Sequence, residues 1–207
     1  MTERVELLSP AGNLEKLRFA VDYGADAVYC APERFGMRAA AGNFTPEALA
    51  EGADYAHRRG AKLYVTLNTM PRDSELALLP SCVAALHDAG ADAFIVADAG
   101  VAEVVRSVYP QAVLHLSTQA SVVNAAACRF WYRQGFRRIV LARELTLEEI
   151  RFIRRNTPAE LELEVFVHGA MCVAYSGRCL LSSYYTSRSA NEGRCTQPCR
   201  WKYRVAE

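Results

Sequence analysis

The chain repeats one hydrophobic pattern. A stretch with apolar positions three and four apart ends at a glycine, and a short unbroken apolar run follows. "LEKLRFAVDYGADAVYCA" from Leu14 shows it first. "PEALAEGADYAHRRGAKLYVTLNT" from Pro46, "LLPSCVAALHDAGADAFIVAD" from Leu78 and "AAACRFWYRQGFRRIVLARE" from Ala125 repeat it. Gly24, Gly60, Gly90 and Gly135 fall where a helix closes in left-handed backbone. The runs that follow are rich in Val, Ile, Leu and aromatic residues, the pattern of strands buried on both faces.

Seven such runs can be counted: "VELLSP", "DAVYCA", "KLYVTLN", "AFIVAD", "AVLHLST", "RIVLARE" and "ELEVFVHG". Helical patterns separate nearly all of them, which predicts an α/β fold with a parallel sheet. Seven units of roughly 25 residues favour a (β/α) TIM-barrel-like parallel barrel over an open doubly wound sheet. "SPAGN" after the first run matches neither a dinucleotide fingerprint nor a phosphate loop. Seven strands are one short of a full barrel, so an incomplete barrel is expected over residues 1–170. Residues 171–207 have another texture, rich in Ser, Tyr, Arg, Gly and Cys. They read as a cysteine-rich metal- or cluster-binding segment held by something other than a hydrophobic core. "WKYRVAE" shows no evident helix end, and the expectation is the front part of a longer architecture.

Composition narrows the class. With 51% hydrophobic and 23% charged residues and a formal net charge of +1, the chain reads as a globular protein without a global nucleic-acid footprint. No apolar run reaches membrane-spanning length. "MTERVELLSP" lacks a secretion pattern, so the expected compartment is the cytoplasm. There structural disulfides are rare, and seven cysteines need another account. Cys30, Cys82 and Cys128 read as small buried hydrophobes.

In a barrel of this kind, strand C-terminal ends face the active site. The candidates there are Glu6, Ser9, Tyr29, Thr66, Asn68, Asp98, His115, Ser117, Thr118, Gln119, Arg143, Glu144, Glu164 and His168. Ser9, Asn68 and Asp98 also suit helix caps. "LSTQAS" (Leu116–Ser121) gathers hydroxyls and an amide at one strand end. "ARE" (Ala142–Glu144) sets a cation beside an anion. Arg143 could clamp a carboxylate or phosphate, and Glu144 could move a proton if burial raises its pKa.

Four cysteines remain, Cys172, Cys179, Cys195 and Cys199, spaced C-x6-C-x15-C-x3-C. The last pair has zinc-site spacing and the first does not. Iron–sulfur clusters accept looser arrangements of thiolates. Spacing leaves iron–sulfur, zinc, reactive thiols and unrelated buried cysteines open. Around them, Arg188, Arg194, Arg200, Lys202 and Arg204 interleave with Tyr184, Tyr185, Trp201 and Tyr203 against one acid, Glu192. That is the texture of a surface for single-stranded or looped RNA, and also of a solvated loop with anchoring aromatics.

"EVFVHGAMCVAYSGRCLLSSY" from Glu164 resembles the signature of the peptidase U32 family, the collagenase-like proteases, through Glu164, Phe166, Gly169, Ala170, Cys172, Gly177, Cys179 and Ser182. "ELLSPAG", "HLSTQASVVN" and "NEGRCTQPCRW" are similar to the same family, so the resemblance covers essentially the whole chain. The closest branch hydroxylates the wobble uridine of tRNA to 5-hydroxyuridine with prephenate. Sister branches act on a cytidine of ribosomal RNA or on a ubiquinone precursor. The resemblance implies a [4Fe–4S] cluster on Cys172, Cys179 and Cys195, with Cys199 the local candidate for the fourth ligand. Members of the tRNA branch are usually much longer than this chain.

Three readings follow. The first is an RNA-modifying enzyme in which Arg143 or another basic group holds a carboxylated co-substrate such as prephenate. Glu144, Arg143, Glu164 and His168 are its catalytic candidates, and Gln119, Arg194 and Arg200 its substrate contacts. The second is a protease, with His168 and Cys172 as a conceivable nucleophilic pair, although neither an HExxH helix nor a GxSxG elbow is present. The third is a scaffold, stabilised by a cluster or by zinc, that binds RNA or partner subunits.

Overall fold

The computed structural model describes residues 5–36, 43–169 and 171–204; Ala170 of the signature and the last three residues lie outside them. Among the described residues, seven strands form one sheet in sequential order. They are β1 (Leu8–Pro10), β2 (Ala27–Cys30), β3 (Lys62–Leu67), β4 (Ala93–Val96), β5 (Leu114–Leu116), β6 (Arg138–Val140) and β7 (Glu162–Glu164). Every neighbouring pair is parallel. The intervening helices are α1 (Leu14–Asp22), α2 (Pro46–His57), α3 (Asp73–Leu76), α4 (Leu79–Asp88), α5 (Ala99–Val108), α6 (Ala125–Arg133) and α7 (Leu147–Arg155); α8 (Leu181–Thr186) lies in the C-terminal segment. The fold is the expected TIM-barrel-like one in incomplete form, a curled sheet backed by helices.

Local chemistry sets the helix ends. Asn13, Thr45, Asp98, Asn124 and Thr146 each accept a hydrogen bond from the amide three residues on. Such caps contribute about 1 kcal/mol each. Asp98 is thus a cap, the plainer of its two readings. Gly24, Gly60, Gly90 and Gly135 all adopt positive φ, as the helix–glycine–strand pattern requires. At Gly90 a side chain would also meet the Ala53 methyl at 2.9 Å, so this turn needs glycine for closeness as well as conformation.

Alternation within the strands sorts residues to two faces. Val28, Leu63, Val65, Phe94, Val96, Leu114, Leu116 and Ile139 pack outward in one core that includes Leu17, Leu49, Val83, Val101, Val105 and Ile153 of the helices. Ala27, Tyr64, Ala93 and Ile95 form a separate small cluster on the concave face, with Leu8 and Tyr29 against it.

That inner face is polar as well as apolar. Arg138 of β6 is nearly inaccessible, and its Nη1 donates to Glu6 Oε1 at 2.6 Å, just before β1. Its Nε donates to Glu162 Oε2 at 2.6 Å, and Glu164 Oε2 lies 3.5 Å from Nη1. The guanidinium carbon stands 5.2 Å from the Tyr64 ring centroid, and the Tyr64 hydroxyl donates to Glu6 Oε2 at 3.0 Å. The His115 ring meets Tyr64 edge-on at 4.7 Å.

Burial and charge set the protonation here. Burial favours protonated Glu6, but the hydrogen bond and charge of Arg138 outweigh it and lower its pKa. Burial disfavours charge on Arg138, yet its carboxylate partners push its pKa further up. Burial raises the pKa of Glu164, with Arg138 opposing. His115 is pushed down to about 3, first by burial and then by the positive charges of Arg138 and Lys62.

Two outcomes are expected. Arg138→Met leaves Glu6, Glu162 and Glu164 without their counter-charge and should lower unfolding free energy by about 3–5 kcal/mol in urea titration. His115 stays neutral in the folded chain while its unfolded form takes a proton near the usual histidine pKa of about 6.5. Stability is therefore lost as pH falls from about 6.5 toward the folded pKa of about 3, by up to about 1.4 kcal/mol per pH unit. His115→Gln removes that contribution, so the stability gap between the parent and this variant should shrink from pH 7.5 to pH 5.

Candidate functional site at the C-terminal mouth

The segments following β3, β5, β6 and β7 meet at the C-terminal end of the sheet. After β5, buried Ser117 caps a 3-10 turn, Thr118–Ala120, by accepting from Gln119 N at 3.3 Å. The Thr118 hydroxyl donates to Leu141 O at 3.3 Å, tying this turn to the end of β6. Ser121 then turns through left-handed backbone, and its hydroxyl donates to Ser176 O at 3.0 Å.

Arg143, after β6, reaches the same place. Its Nη2 donates to Ser176 Oγ at 2.7 Å, and its Nη1 faces Met171 Sδ at 3.9 Å. Arg143 Nε is buried without a hydrogen-bond partner, as is Gln119 Oε1. Gly177 lies over Gln119 with φ +72°; a side chain there would stand 2.9 Å from Gln119 O and 3.3 Å from Met70 Cε. Beyond β3, Met70 N donates to Asn191 O at 3.1 Å, and Arg72 pairs with Glu192 at 3.6 Å. The cysteine-bearing segment is thus docked on the mouth at Ser176–Gly177 and at Asn191–Glu192.

Hydroxyls knit that segment together. Ser182 of α8 is fully buried; its Oγ accepts from Thr196 N and pairs with the Thr196 hydroxyl, both at 3.1 Å. The Thr186 hydroxyl donates to Ser182 O at 2.7 Å.

All seven cysteines are free thiols. Cys179 is half-buried, while Cys172, Cys195 and Cys199 are exposed. Cys195 Sγ accepts from Gln197 N at 3.4 Å. Among the described residues, no three His, Cys, Asp or Glu side chains are gathered closely enough to hold a metal. The donor set suits a soft metal chemically, but its arrangement here does not fit a preassembled cluster. The scattered thiols differ. Burial pushes Cys30 up to about 12 and Cys128 to about 11, and also raises Cys82. All three stay protonated at neutral pH and act as small core residues.

The other candidates fall into three places. Gln119 and Arg143 converge beneath Ser176–Gly177. Glu6, His115 and Glu164 belong to the concave interior around Arg138, with Glu164 as the last residue of β7. Glu144 and His168 are exposed on turns, away from the buried groups. Arg194 is exposed and pairs with Glu192, and Arg200 is exposed on the 3-10 turn Pro198–Arg200. Sequence reasoning passed over Arg138, Tyr64 and Ser176. A charged residue opening the apolar run "RIV" was the available signal for Arg138; Ser176 carried none beyond its glycine neighbour.

Comparisons with known proteins place this geometry. Residues 12–207 match the model of peptidase family U32, so the chain belongs to that family. It is 48% identical over 98% of its length to the tRNA hydroxylation protein P1 of Bacillus subtilis strain 168, covering 48% of that protein. It is 46% identical over 98% of its length to the tRNA hydroxylation protein P of Escherichia coli K12, covering 44% of it. The chain therefore spans about half the length of these curated relatives. The solved structure of a U32 peptidase superposes with a TM-score of 0.66 at 18% identity, covering 80% of this chain and 69% of that one, a likeness of fold.

Gly177 is the point where docking tolerates least. Gly177→Ala should force the segment away from Gln119, both by contact and by left-handed strain of about 1 kcal/mol or more. Faster limited proteolysis within residues 171–204, at little change in the global unfolding midpoint, is the expected result.

Proposed function

We propose that this chain is the barrel-bearing part of a cytoplasmic tRNA hydroxylation protein that converts wobble uridine to 5-hydroxyuridine. The observation that carries the reading is the docking of the cysteine-bearing segment onto the C-terminal mouth, through Ser176 on Arg143 and Gly177 over Gln119. The names of the similar tRNA hydroxylation proteins support it. The mouth of such a barrel is where reacting groups meet, and here it joins a guanidinium, an amide and a thiol-rich strip.

In this reading Arg143 holds a carboxylate of a small co-substrate, with prephenate as the candidate. Its planar fork suits that group, and the hydroxyl of Ser176 now takes one of its donors. The side-chain oxygen of Gln119, buried without a partner under Gly177, is the candidate acceptor for a donor on the same ligand. Glu164, the last residue of β7, has its pKa raised by burial, with Arg138 opposing. Cys172, Cys179, Cys195 and Cys199 are proposed ligands of a [4Fe–4S] cluster, which requires the segment to draw its thiols together. Thiolate ligation of this kind supplies redox or Lewis-acid chemistry when the cluster is bound.

The experiment is an oxygen-free purification with iron, acid-labile sulfide and zinc assays, joined to mass spectrometry of tRNA nucleosides from cells. Iron and sulfide in comparable amounts are expected, both lost in Cys172→Ala, together with loss of 5-hydroxyuridine. Persistence of 5-hydroxyuridine with Cys172→Ala as the sole copy would overturn the enzyme reading; zinc alone would overturn the cluster.

A further inference from the structure

Resting on the reading of tRNA as the partner, we infer that Tyr185, Trp201 and Tyr203, flanked by Arg200, Lys202 and Arg204, form a stacking platform for unpaired bases of an RNA loop. The Tyr185 ring centroid lies 6.1 Å from that of Trp201 and 6.0 Å from that of Tyr203. The three residues are 50%, 45% and 55% exposed, so nothing among the described residues covers the cluster. It is also held in place. The Tyr203 hydroxyl donates to Pro198 O at 2.7 Å, and Pro198 is buried. Tyr185 stands on α8, anchored by Ser182 and Thr196. A pre-positioned ring loses little freedom when a base stacks on it.

The charges choose the partner. Arg200, Lys202 and Arg204 alternate with Trp201 and Tyr203 along the chain, and all five are exposed. Among the described residues, none of the three cations is ion-paired, while the nearby acid Glu192 is engaged by Arg72 and Arg194. An apolar protein surface laid on these rings would strip water from unpaired cations at a cost. A phosphate backbone neutralises them and releases its counterions. Paired RNA hides its base faces, so rings of this kind select unpaired nucleotides. Exposed Cys199 lies in the same strip, which sets a stacked base beside the thiol-rich part of the mouth.

The test is fluorescence anisotropy with a labelled hairpin carrying a single-stranded loop, against a blunt duplex of the same base composition. Trp201→Ala and Tyr185→Ala should each weaken loop binding about tenfold or more and spare the duplex. Trp201→Phe should keep most of the affinity. Arg200→Gln with Lys202→Gln should reduce the salt dependence of loop binding by about 1.4 in log–log slope. Unchanged loop affinity in a Trp201→Ala protein with a parental unfolding midpoint overturns the platform. So does a Trp201 emission already shielded from acrylamide in a full-length Trp131→Phe protein without RNA, which would mean that protein covers the face. The enzyme reading fails separately: loop binding that needs Trp201 while cellular 5-hydroxyuridine is indifferent to Cys172 leaves the platform standing and removes the hydroxylase.

Discussion

The ion cluster around Arg138 is the constraint on which the rest of this structure depends. It joins Glu6 before β1 to the sixth and seventh strands across the concave face. Strand pairing alone links each strand only to its neighbours. A guanidinium held by carboxylates from both ends of the sheet adds a link across its curve. Buried charge of this kind contributes little net stability compared with apolar packing, but losing one partner is costly. Its value here lies in geometry. The curl directs the segments after β3, β5, β6 and β7 toward one another, and the mouth exists because they converge.

At that mouth the division of labour is clear. The barrel supplies rigid groups, with Gln119 on a capped turn and Arg143 at a strand end. The C-terminal segment supplies thiols, aromatics and most of the local positive charge. The joint between them rests on a serine and a glycine. Ser176 satisfies part of Arg143, while Gly177 permits a backbone approach that any side chain would block. Such a joint is specific but small.

Much of the fold was legible in the order of residues. Seven apolar runs became seven strands, and four glycines took the left-handed turns assigned to them. Asp98 proved a cap because its spacing to the Val101 amide is local. The inner face was less legible. The apolar runs look continuous, so the alternation that sends Tyr64, His115 and Arg138 inward is hidden in them. Glu6, His115 and Glu164 were read as mouth residues because strand ends were judged by sequence, whereas the curl carries them to the interior network. The convergence of Gln119 and Arg143 was half visible, as two polar strand ends. Their meeting through Ser176, 33 residues beyond Arg143, depends on tertiary docking that no local pattern encodes.

The sequential strand order also bears on how the chain comes to be folded as it is made. Each helix–strand unit can add to the edge left by the one before it, so most pairing needs only recently synthesised residues. The Glu6–Arg138 link, 132 residues apart, cannot form until the sixth strand has emerged. Until then Glu6 must wait in water as an ordinary solvated carboxylate. The growing sheet can therefore assemble early and flex, and its curvature is locked only once the sixth strand is made, shortly before the segment that reads that curvature appears.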